Sequence, residues 1–247
     1  MELKVFFAQN PRAALGFSGG VDSAYLLYAA CQYGAQVQPY YIKTCFQPQF
    51  EYEDALAVCT KLGVELRVVE HNILEDSVIA SNPQNRCYYC KKTMFSMLTK
   101  RAAQDGFSLV LDGTNYSDDL SDRPGAAAIR ELGVRSPLRE CALTKDMIRQ
   151  LSKEAGLFTW DKPAYACLAT RVPTGQIITS DILAKVEICE NRLTEMGYSD
   201  FRVRVMGDCA RLQIKENQFE MFVLKRKEIL DVLKPCFESV LLDMEAR

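Results

Sequence analysis

Residues 13–23 read AALGFSGGVDS and place two adjacent glycines between an apolar stretch and the start of a helical pattern. Ala13 to Phe17 has the length and composition of a buried strand, and apolar residues recur at helical spacing from Val21 onward. Glycines let the backbone approach an anion, the flanking hydroxyls donate hydrogen bonds, and a helix N-terminus presents unpaired N–H groups with a positive dipole. The stretch therefore predicts a phosphate-binding loop, and a tight turn with a Ser or Asp helix cap is the alternative. It has neither the Lys of a Walker A loop nor the G-x-G-x-x-G pattern of dinucleotide-binding folds.

The segments that follow this loop alternate between strand and helix patterns. Further strands are predicted at residues 37–42, 64–68 and 107–111, with helical spacing between them. A cysteine-bearing loop at residues 82–90 is expected to lead into the helix before the last of these strands. Because strand and helix alternate, the chain is expected to form a parallel sheet with right-handed crossovers, which is an α/β fold.

A loop that contains proline and glycine interrupts this alternation near residues 160–175. Beyond it, the patterns predict a helix around residues 182–193, strands at 201–205 and 210–214, a helix over about 218–233 and a strand at 239–242. We therefore expect a nucleotide-binding domain at residues 1–165 and a smaller α+β domain at residues 166–247.

The composition disfavours several classes of protein. The 247 residues include 30 basic and 32 acidic side chains, for a formal charge of −2, so the basic excess that attracts a nucleic acid backbone is missing. Nucleic acid is therefore an unexpected partner. No apolar stretch approaches the roughly 20 residues that span a bilayer, and the first residues lack a signal-peptide pattern. A cytoplasmic protein with no membrane attachment is expected.

The ten cysteines and the single histidine limit the possible chemistry. In a reducing cytosol, cysteines are expected to be core thiols, metal ligands or nucleophiles rather than disulfides. Because His71 is the only histidine, zinc-hydrolase motifs with two histidines are excluded, and His71 itself is expected to be a capped surface residue rather than a catalytic base. Any metal site must rely on Cys, Asp or Glu.

The Ser18–Ser23 loop resembles the PP-loop of the ATP pyrophosphatase superfamily, whose adenine nucleotide α hydrolase-like domains cleave ATP between the α and β phosphates. Further motifs resemble those of the LarE family of ATP-dependent sulfur transferases and extend the resemblance over nearly the whole chain. In chain order they are Asn85-Arg86-Cys87-Tyr88-Tyr89-Cys90-Lys91-Lys92, Asp112-Gly113-Thr114-Asn115, Asp118-Asp119-Leu120, Asp122-Arg123-Pro124-Gly125, Ser136-Pro137-Leu138, Lys162-Pro163-Ala164, Ala166-Cys167-Leu168-Ala169-Thr170-Arg171 and Arg202-Val203-Arg204.

This resemblance implies an enzyme of nickel-pincer nucleotide cofactor biosynthesis. Such an enzyme uses ATP and Mg²⁺ to adenylylate a carboxylate of a pyridinium dicarboxylate mononucleotide, and then converts that carboxylate to a thiocarboxylate. A homo-oligomer with a small-molecule substrate is expected. The implied catalytic residues are Cys167, Asp22, Ser18 and Ser23. The implied nucleotide- and substrate-binding residues are Ser18, Gly19, Gly20, Asp22, Ser23, Gly113, Arg171, Arg202 and Arg204.

Three cysteines carry the implied sulfur chemistry. Some members of the family give up the sulfur of one cysteine at the position of Cys167, whereas others add a C-x-x-C pair and hold a [4Fe-4S] cluster. This chain has Cys87, Cys90 and Cys167, which favours the cluster form, since three thiolates leave one iron open for an added sulfur. Zinc binding and packing of reduced thiols are the alternatives.

Further polar residues complete the candidate site. Asp118 and Asp119 follow a strand, where a carboxylate can hold Mg²⁺ against pyrophosphate. Arg202 and Arg204 are two residues apart on a strand, so they share a face that is either solvated or suited to a substrate phosphate. The resemblance implies a divalent metal at Glu190. Gln213 departs from the family pattern, which has an acid at that position.

Three other functions remain open at this stage. An amide-forming PP-loop ligase would need an ammonia source, and ammonia-supported product would reveal it. A tRNA thiolase would bind tRNA tightly and in a salt-dependent manner. A non-enzymatic nucleotide-binding module would bind ATP without releasing pyrophosphate.

Overall fold

The computed structural model describes residues 1–119 and 124–247, so Leu120, Asp122 and Arg123 of the motifs above lie outside the described residues. The chain divides into two compact units. The first contains Met1–Asn72 and Asn85–Ala164, and the second contains Ile73–Gln84 and Tyr165–Arg247. Within the described ranges, no helix is long and apolar enough to cross a membrane.

The first unit is built on a four-stranded sheet in which every pairing is parallel. Its strands are β1 (Arg12–Gly16), β2 (Gln36–Lys43), β3 (Arg67–Glu70) and β4 (Val110–Leu111). Their order across the sheet is β3-β2-β1-β4. The predicted α/β class is therefore confirmed, and the carboxyl ends of β1 and β4 lie side by side at one edge.

The first unit also contains seven of the helices in the described ranges, and α2, α3 and α5 connect its strands. The seven are α1 (Leu3–Gln9), α2 (Val21–Gln32), α3 (Gln49–Leu62), α5 (Arg86–Gln104), α6 (Pro124–Glu131), α7 (Pro137–Glu140) and α8 (Lys145–Glu154), while α4 (Ser77–Ala80) belongs to the second unit. Helix α1 was not predicted from the sequence. Residues 82–90 were predicted to form a loop, whereas Cys87 and Cys90 lie in the first turns of α5.

The first unit buries apolar residues on both faces of its sheet, as a parallel sheet with helices on each side requires. On β1, Ala13 and Leu15 pack into one cluster with residues of α2, and Ala14 packs into another. The second cluster contains Leu98 of α5 and Ile129 of α6. Successive strand residues thus point to opposite faces, and each face has its own helices.

Two strands of this sheet are shorter than the sequence predicts, because helix ends use their first residues. Gly63 ends α3 in the left-handed conformation, and the Val64 N–H donates to the Cys59 carbonyl at 3.0 Å. Pairing of β3 therefore starts at Arg67. In the same way the Phe107 N–H donates to the Ala102 carbonyl at the end of α5, and β4 contains only two residues.

The second unit combines helices with a three-stranded mixed sheet. Its further elements are α9 (Ser180–Glu195), β5 (Arg202–Met206), β6 (Cys209–Gln213), α10 (Phe219–Leu224), α11 (Arg226–Leu233) and β7 (Ser239–Leu242). Strands β5 and β6 form an antiparallel hairpin, and β7 pairs with β6 in parallel. The helix predicted over residues 218–233 is two helices that meet at Lys225.

Residues 73–84 pack within the second unit through a buried asparagine. The Asn82 side-chain amide donates to the carbonyls of Val172 at 3.2 Å and Pro173 at 2.8 Å, and the Asn82 backbone carbonyl accepts from the Gly175 N–H. The Ala80 carbonyl accepts from the Ile178 N–H at 2.8 Å. These bonds attach residues 73–84 to residues 172–178, although the two segments lie far apart in the sequence.

Candidate functional site

The glycine-rich loop between β1 and α2 is closed by its two serines. The Ser18 and Ser23 hydroxyl oxygens lie 3.2 Å apart, the Gly20 N–H donates to the Ser18 hydroxyl, and the Ser23 hydroxyl lies 3.2 Å from the Gly20 carbonyl that it donates to. Gly19 has a φ of 74°, and a Cβ there would lie 2.7 Å from the Ala55 backbone nitrogen. Glycine is therefore required at this position, both for its left-handed backbone and for the space it leaves.

Gly113 lets the segment after β4 approach the start of α2. A Cβ at Gly113 would lie 3.1 Å from the Ser23 backbone nitrogen and 3.5 Å from the Asp22 Cβ. The predicted loop residues and Gly113 are therefore neighbours at the carboxyl edge of the sheet, where open α/β folds bind ligands.

Asp22 joins two other segments at this edge. Its Oδ2 accepts from the Lys145 Nζ at 2.6 Å, and its Oδ1 accepts from the Asn115 side-chain amide at 3.4 Å. Burial raises the pKa of Asp22 above its ordinary value, Lys145 opposes that shift, and the negative charge of Asp118 adds to it. The site thus gathers two carboxylates, an amide and an ammonium group from three separate segments of the chain: the start of α2, the turn after β4 and the start of α8.

The two predicted magnesium ligands differ in their positions. Asp118 is half-buried, and its Oδ2 accepts from the Asn115 N–H at 3.0 Å. Asp119 is exposed. The negative charge of Asp118 contributes to the raised pKa of Asp22, which links Asp118 to the glycine-rich loop. The assignment of magnesium to either residue stays a prediction.

Buried Asp112 holds the turn that carries these groups. Its Oδ1 accepts from the Thr114 N–H at 3.3 Å and from the Ser136 hydroxyl at 2.6 Å, and its Oδ2 accepts from the Thr114 hydroxyl. Two motifs found in the sequence therefore meet in one set of hydrogen bonds. Arg139 adds a bond from its guanidinium to the Asp118 carbonyl at 2.8 Å.

Cys87 and Cys90 are three residues apart in the first turns of α5, which places them on one side of the helix. Neither forms a disulfide, Cys87 is exposed, and the Cys90 Sγ lies 3.5 Å from the Met94 sulfur. This pair suits two irons of a cluster, because thiolates are the ligands that iron–sulfur clusters use. Cys167 belongs to the second unit. Across residues 1–119 and 124–247, no group of three or more His, Cys, Asp or Glu side chains is arranged to hold a metal ion.

The loop that carries Cys167 is held by its backbone carbonyls. The Cys167 carbonyl accepts from the Thr170 hydroxyl at 2.8 Å, and the Arg171 guanidinium donates to the Ala166 carbonyl at 2.7 Å. Arg171 is only 1% exposed. The resemblance implied that Arg171 binds a ligand. In the structure its guanidinium donates to protein groups, namely the Glu190 carboxylate, the Ala166 carbonyl and the Thr170 hydroxyl.

Glu190, which is 5% exposed, neutralises that buried arginine. Its two oxygens accept from Arg171 at 2.9 and 3.0 Å, from the Tyr165 hydroxyl at 2.5 Å and from the Val203 N–H at 2.9 Å. Burial and the charge of Glu190 raise the pKa of Tyr165, so this hydroxyl stays protonated and donates. A metal ion at Glu190 stays a prediction, and it would have to displace some of these hydrogen bonds.

Arg202 is packed into the same cluster. Its guanidinium carbon lies 4.9 Å from the centre of the Tyr165 ring, and the guanidinium carbon of Arg171 lies 4.5 Å from the centre of the same ring. The face of β5 that carries Arg202 is therefore not a solvated one, since Arg202 is buried and donates to the Phe201 carbonyl. Burial and the neighbouring Arg171 lower the pKa of Arg202.

Arg204 lies beside an open cavity of about 350 Å³ in the second unit. The cavity is lined by Thr170, Arg171, Val172, Pro173, Thr174, Arg204, Val205, Met206 and Arg211. Arg204 donates to the Thr170 carbonyl at 2.8 Å and to the Gln213 side-chain oxygen. Arg211, which was not selected from the sequence, adds a further guanidinium that is partly exposed and lies 3.6 Å from the Asp243 carboxylate. The cavity therefore suits an anionic group.

Known proteins resemble this chain along most of its length. An uncharacterized protein of Synechocystis sp. is 39% identical over 225 residues, which cover 90% of this chain and 83% of that protein. The pyridinium-3,5-bisthiocarboxylic acid mononucleotide synthase of Lactiplantibacillus plantarum is 31% identical over 236 residues, which cover 94% of this chain and 86% of the synthase. The chain belongs to the LarE family. No family model matches it.

More distant similarity connects this LarE-family chain with the wider PP-loop superfamily. The tRNA-specific 2-thiouridylase MnmA of a Shewanella species is 26% identical over 189 residues, which cover 61% of this chain and 50% of that enzyme. The family assignment therefore rests on the synthase match, which extends over both units.

Gln213 stands where the resemblance to the LarE family led us to expect an acid. Its side-chain amide donates to the Asp243 Oδ2 at 3.0 Å, and its oxygen accepts from Arg204. Gln213 thus connects Arg204 with a carboxylate from the C-terminal end of the chain. A carboxylate is present near Arg204, although it is not supplied by residue 213.

Around the glycine-rich loop, Lys145 and Asn115 are site residues that the sequence did not reveal. Asn115 lay in a motif without an assigned role. Lys145 carried a signal, because it is the first residue of α8 after the cap Thr144, where a positive charge opposes the helix dipole. A residue that violates a local preference is often placed for a tertiary reason.

Proposed function

We propose that this chain is an ATP-dependent sulfur transferase that acts on a pyridinium dicarboxylate mononucleotide and forms its thiocarboxylate. The observation that carries the proposal is the glycine-rich loop with Asp22, in a chain that is similar to the synthase over 94% of its length. The test is incubation of the protein with ATP, this mononucleotide and sulfide, followed by mass spectrometry. Exchange of oxygen for sulfur with release of AMP and pyrophosphate is expected, whereas no product, or an amide formed when ammonia replaces sulfide, would contradict the proposal.

The first proposed step activates the carboxylate. A substrate carboxylate oxygen attacks the α-phosphorus of ATP, the bond from that phosphorus to the oxygen shared with the β-phosphate breaks, and pyrophosphate leaves. The N–H groups at the start of α2 and the serine hydroxyls stabilise the charge that develops on the phosphates. Asp118 or Asp119 would hold Mg²⁺, which neutralises phosphate charge when bound.

The second proposed step replaces AMP with sulfur. A sulfur nucleophile near Cys167 attacks the carbonyl carbon of the acyl adenylate, and AMP leaves with the bonding electrons of the C–O bond. Thiolates and sulfide are strong nucleophiles near neutral pH, so no histidine base is needed. The hydrogen bonds from Thr170 and Arg171 to backbone carbonyls keep the Cys167 loop in place.

Cys87, Cys90 and Cys167 would together hold a [4Fe-4S] cluster, whose open iron can carry an added sulfide when the cluster is bound. The pairing of Cys87 and Cys90 on one helix turn supports this proposal. A sacrificial Cys167 would leave that pair without a role.

Anaerobic reconstitution with iron and sulfide is expected to give a brown protein with about four irons per chain. Cys87→Ala, Cys90→Ala and Cys167→Ala are each expected to lose most of this iron and its visible absorbance. Cys141→Ala, which changes a cysteine outside the proposed set, is the matched control and should bind iron normally. If the wild type instead binds little iron and its mass falls by that of H₂S after one turnover, the sulfur comes from Cys167 itself.

Arg204→Ala is expected to raise the KM for the mononucleotide by roughly 10- to 150-fold, because a charge-assisted hydrogen bond to a phosphate contributes about 1.5 to 3 kcal/mol. The affinity for ATP should not change. Arg226→Ala, an exposed arginine of α11, serves as the control and should leave both values unchanged. Equal losses for ATP and for the mononucleotide would remove Arg204 from the substrate-phosphate site.

A further inference from the structure

Lys145 occupies a position that helix energetics disfavour. It begins α8 directly after Thr144, whose hydroxyl caps the helix by accepting from the Met147 N–H at 3.3 Å. The N-terminal end of a helix carries partial positive charge, so an ammonium group in its first turn is destabilising by a few tenths of a kcal/mol. The Lys145 N–H donates to the Ser117 hydroxyl, which joins this helix end to the turn containing Asn115 and Asp118.

The Lys145 side chain extends to the phosphate-binding loop. Its Nζ lies 2.6 Å from the Asp22 Oδ2, although the two residues are far apart in the sequence. The Lys145 side chain is 29% exposed and that of Asp22 is 22% exposed, so the pair is open to a ligand on one side. An ammonium group has three donor hydrogens and can keep its bond to Asp22 while it donates to a further oxygen.

The charges around this pair suit a polyphosphate with its magnesium. Positive charge comes from Lys145 and from the start of α2, whereas Asp22 and Asp118 are negative. A magnesium ion can lie between carboxylate and phosphate oxygens, and the ammonium group can then meet a phosphate oxygen directly.

We propose that Lys145 is a catalytic residue that donates a hydrogen bond to a β- or γ-phosphate oxygen of ATP and stabilises the pyrophosphate as it leaves. This inference rests on the proposed function. As the bond to the α-phosphorus breaks, its electron pair stays with the departing oxygen, and negative charge on the pyrophosphate increases. The contact with Lys145 therefore strengthens in the transition state, which is the condition for an effect on kcat.

The first experiment measures binding of inorganic pyrophosphate with Mg²⁺, and of AMP, by calorimetry on the full chain. Lys145→Met is expected to weaken pyrophosphate binding by roughly 10- to 150-fold and to leave AMP binding within about twofold. Lys153→Met, which changes an exposed lysine of the same helix, is the matched control and should leave both affinities unchanged. Lys145→Gln, which keeps a donor beside Asp22, provides a second variant if Lys145→Met does not fold.

The alternative is that Lys145 only neutralises Asp22. A comparison of Asp22→Asn with Asp22→Asn/Lys145→Met distinguishes the two roles, because no carboxylate is left to neutralise. Direct contact predicts that the double variant binds pyrophosphate at least about tenfold more weakly than Asp22→Asn. Equal affinities, an unchanged affinity in Lys145→Met, or equal losses for pyrophosphate and AMP would each overturn the inference. If the wild type binds neither pyrophosphate nor AMP, the proposed function fails as well. If the wild type binds pyrophosphate and Lys145→Met binds it equally well, only the role of Lys145 is removed.

Discussion

An Asp22→Ala variant is expected to release pyrophosphate from ATP about 10²- to 10³-fold more slowly than the wild type, measured with the mononucleotide and sulfide present. The Asp22 carboxylate is the point where the phosphate-binding loop meets Asn115 and Lys145. Its removal takes away a group that can bind magnesium and frees the lysine to move. Because the side chain lies outside the apolar cluster of the sheet, the fold should survive.

Asp146→Ala is the matched control for this experiment. Asp146 is an exposed aspartate next to Lys145 in the first turn of α8, so its loss changes the net charge equally without touching the loop. This control should retain near wild-type rates. Circular dichroism should show both variants folded. Near wild-type pyrophosphate release by a folded Asp22→Ala variant would remove this loop from the reaction.

Arg171→Met is expected to lower the free energy of unfolding by about 3 to 5 kcal/mol, because it leaves the buried Glu190 carboxylate without its cation. The same change removes the donor to the Ala166 carbonyl, so the Cys167 loop should become mobile. Urea denaturation followed by circular dichroism measures the first effect. Hydrogen exchange of α9, which carries Glu190, shows whether the loss is confined to the second unit.

An exposed ion pair provides the control for the loss of stability expected in Arg171→Met. Lys92 and Glu131 form a pair in which both side chains are about half exposed, so Lys92→Met should leave the urea midpoint close to that of the wild type. Arg171→Met/Glu190→Leu should recover much of the stability lost in the single variant, since no unpaired charge is then buried. A single variant as stable as Lys92→Met would show that the cluster of Arg171 and Glu190 is not a source of stability.

Local sequence patterns were sufficient for the architecture of the first unit. The strand, loop and helix at residues 13–23 and the alternation that follows predicted a parallel α/β sheet, and the structure confirms that sheet. Such patterns succeed because side-chain periodicity reflects which faces an element buries. They were less accurate at element ends, where Gly63 and the end of α5 take residues from β3 and β4.

The motifs also identified the loops that carry the candidate site, and the match with the synthase supports the family that they suggested. The sequence could name Ser18, Asp22 and the three cysteines because glycine-rich loops and C-x-x-C spacings are local features. It could not assign partners to those side chains.

By itself, then, the sequence determined the α/β sheet, the position of the glycine-rich loop and the family of this protein. Only the tertiary structure decided that Lys145 reaches Asp22, that Glu190 is enclosed by Arg171 and Tyr165, and that residues 73–84 join the second unit. The physical reason is separation along the chain. Periodicity and turn chemistry act over a few residues, whereas these contacts depend on which loops meet when the sheet and the helices pack.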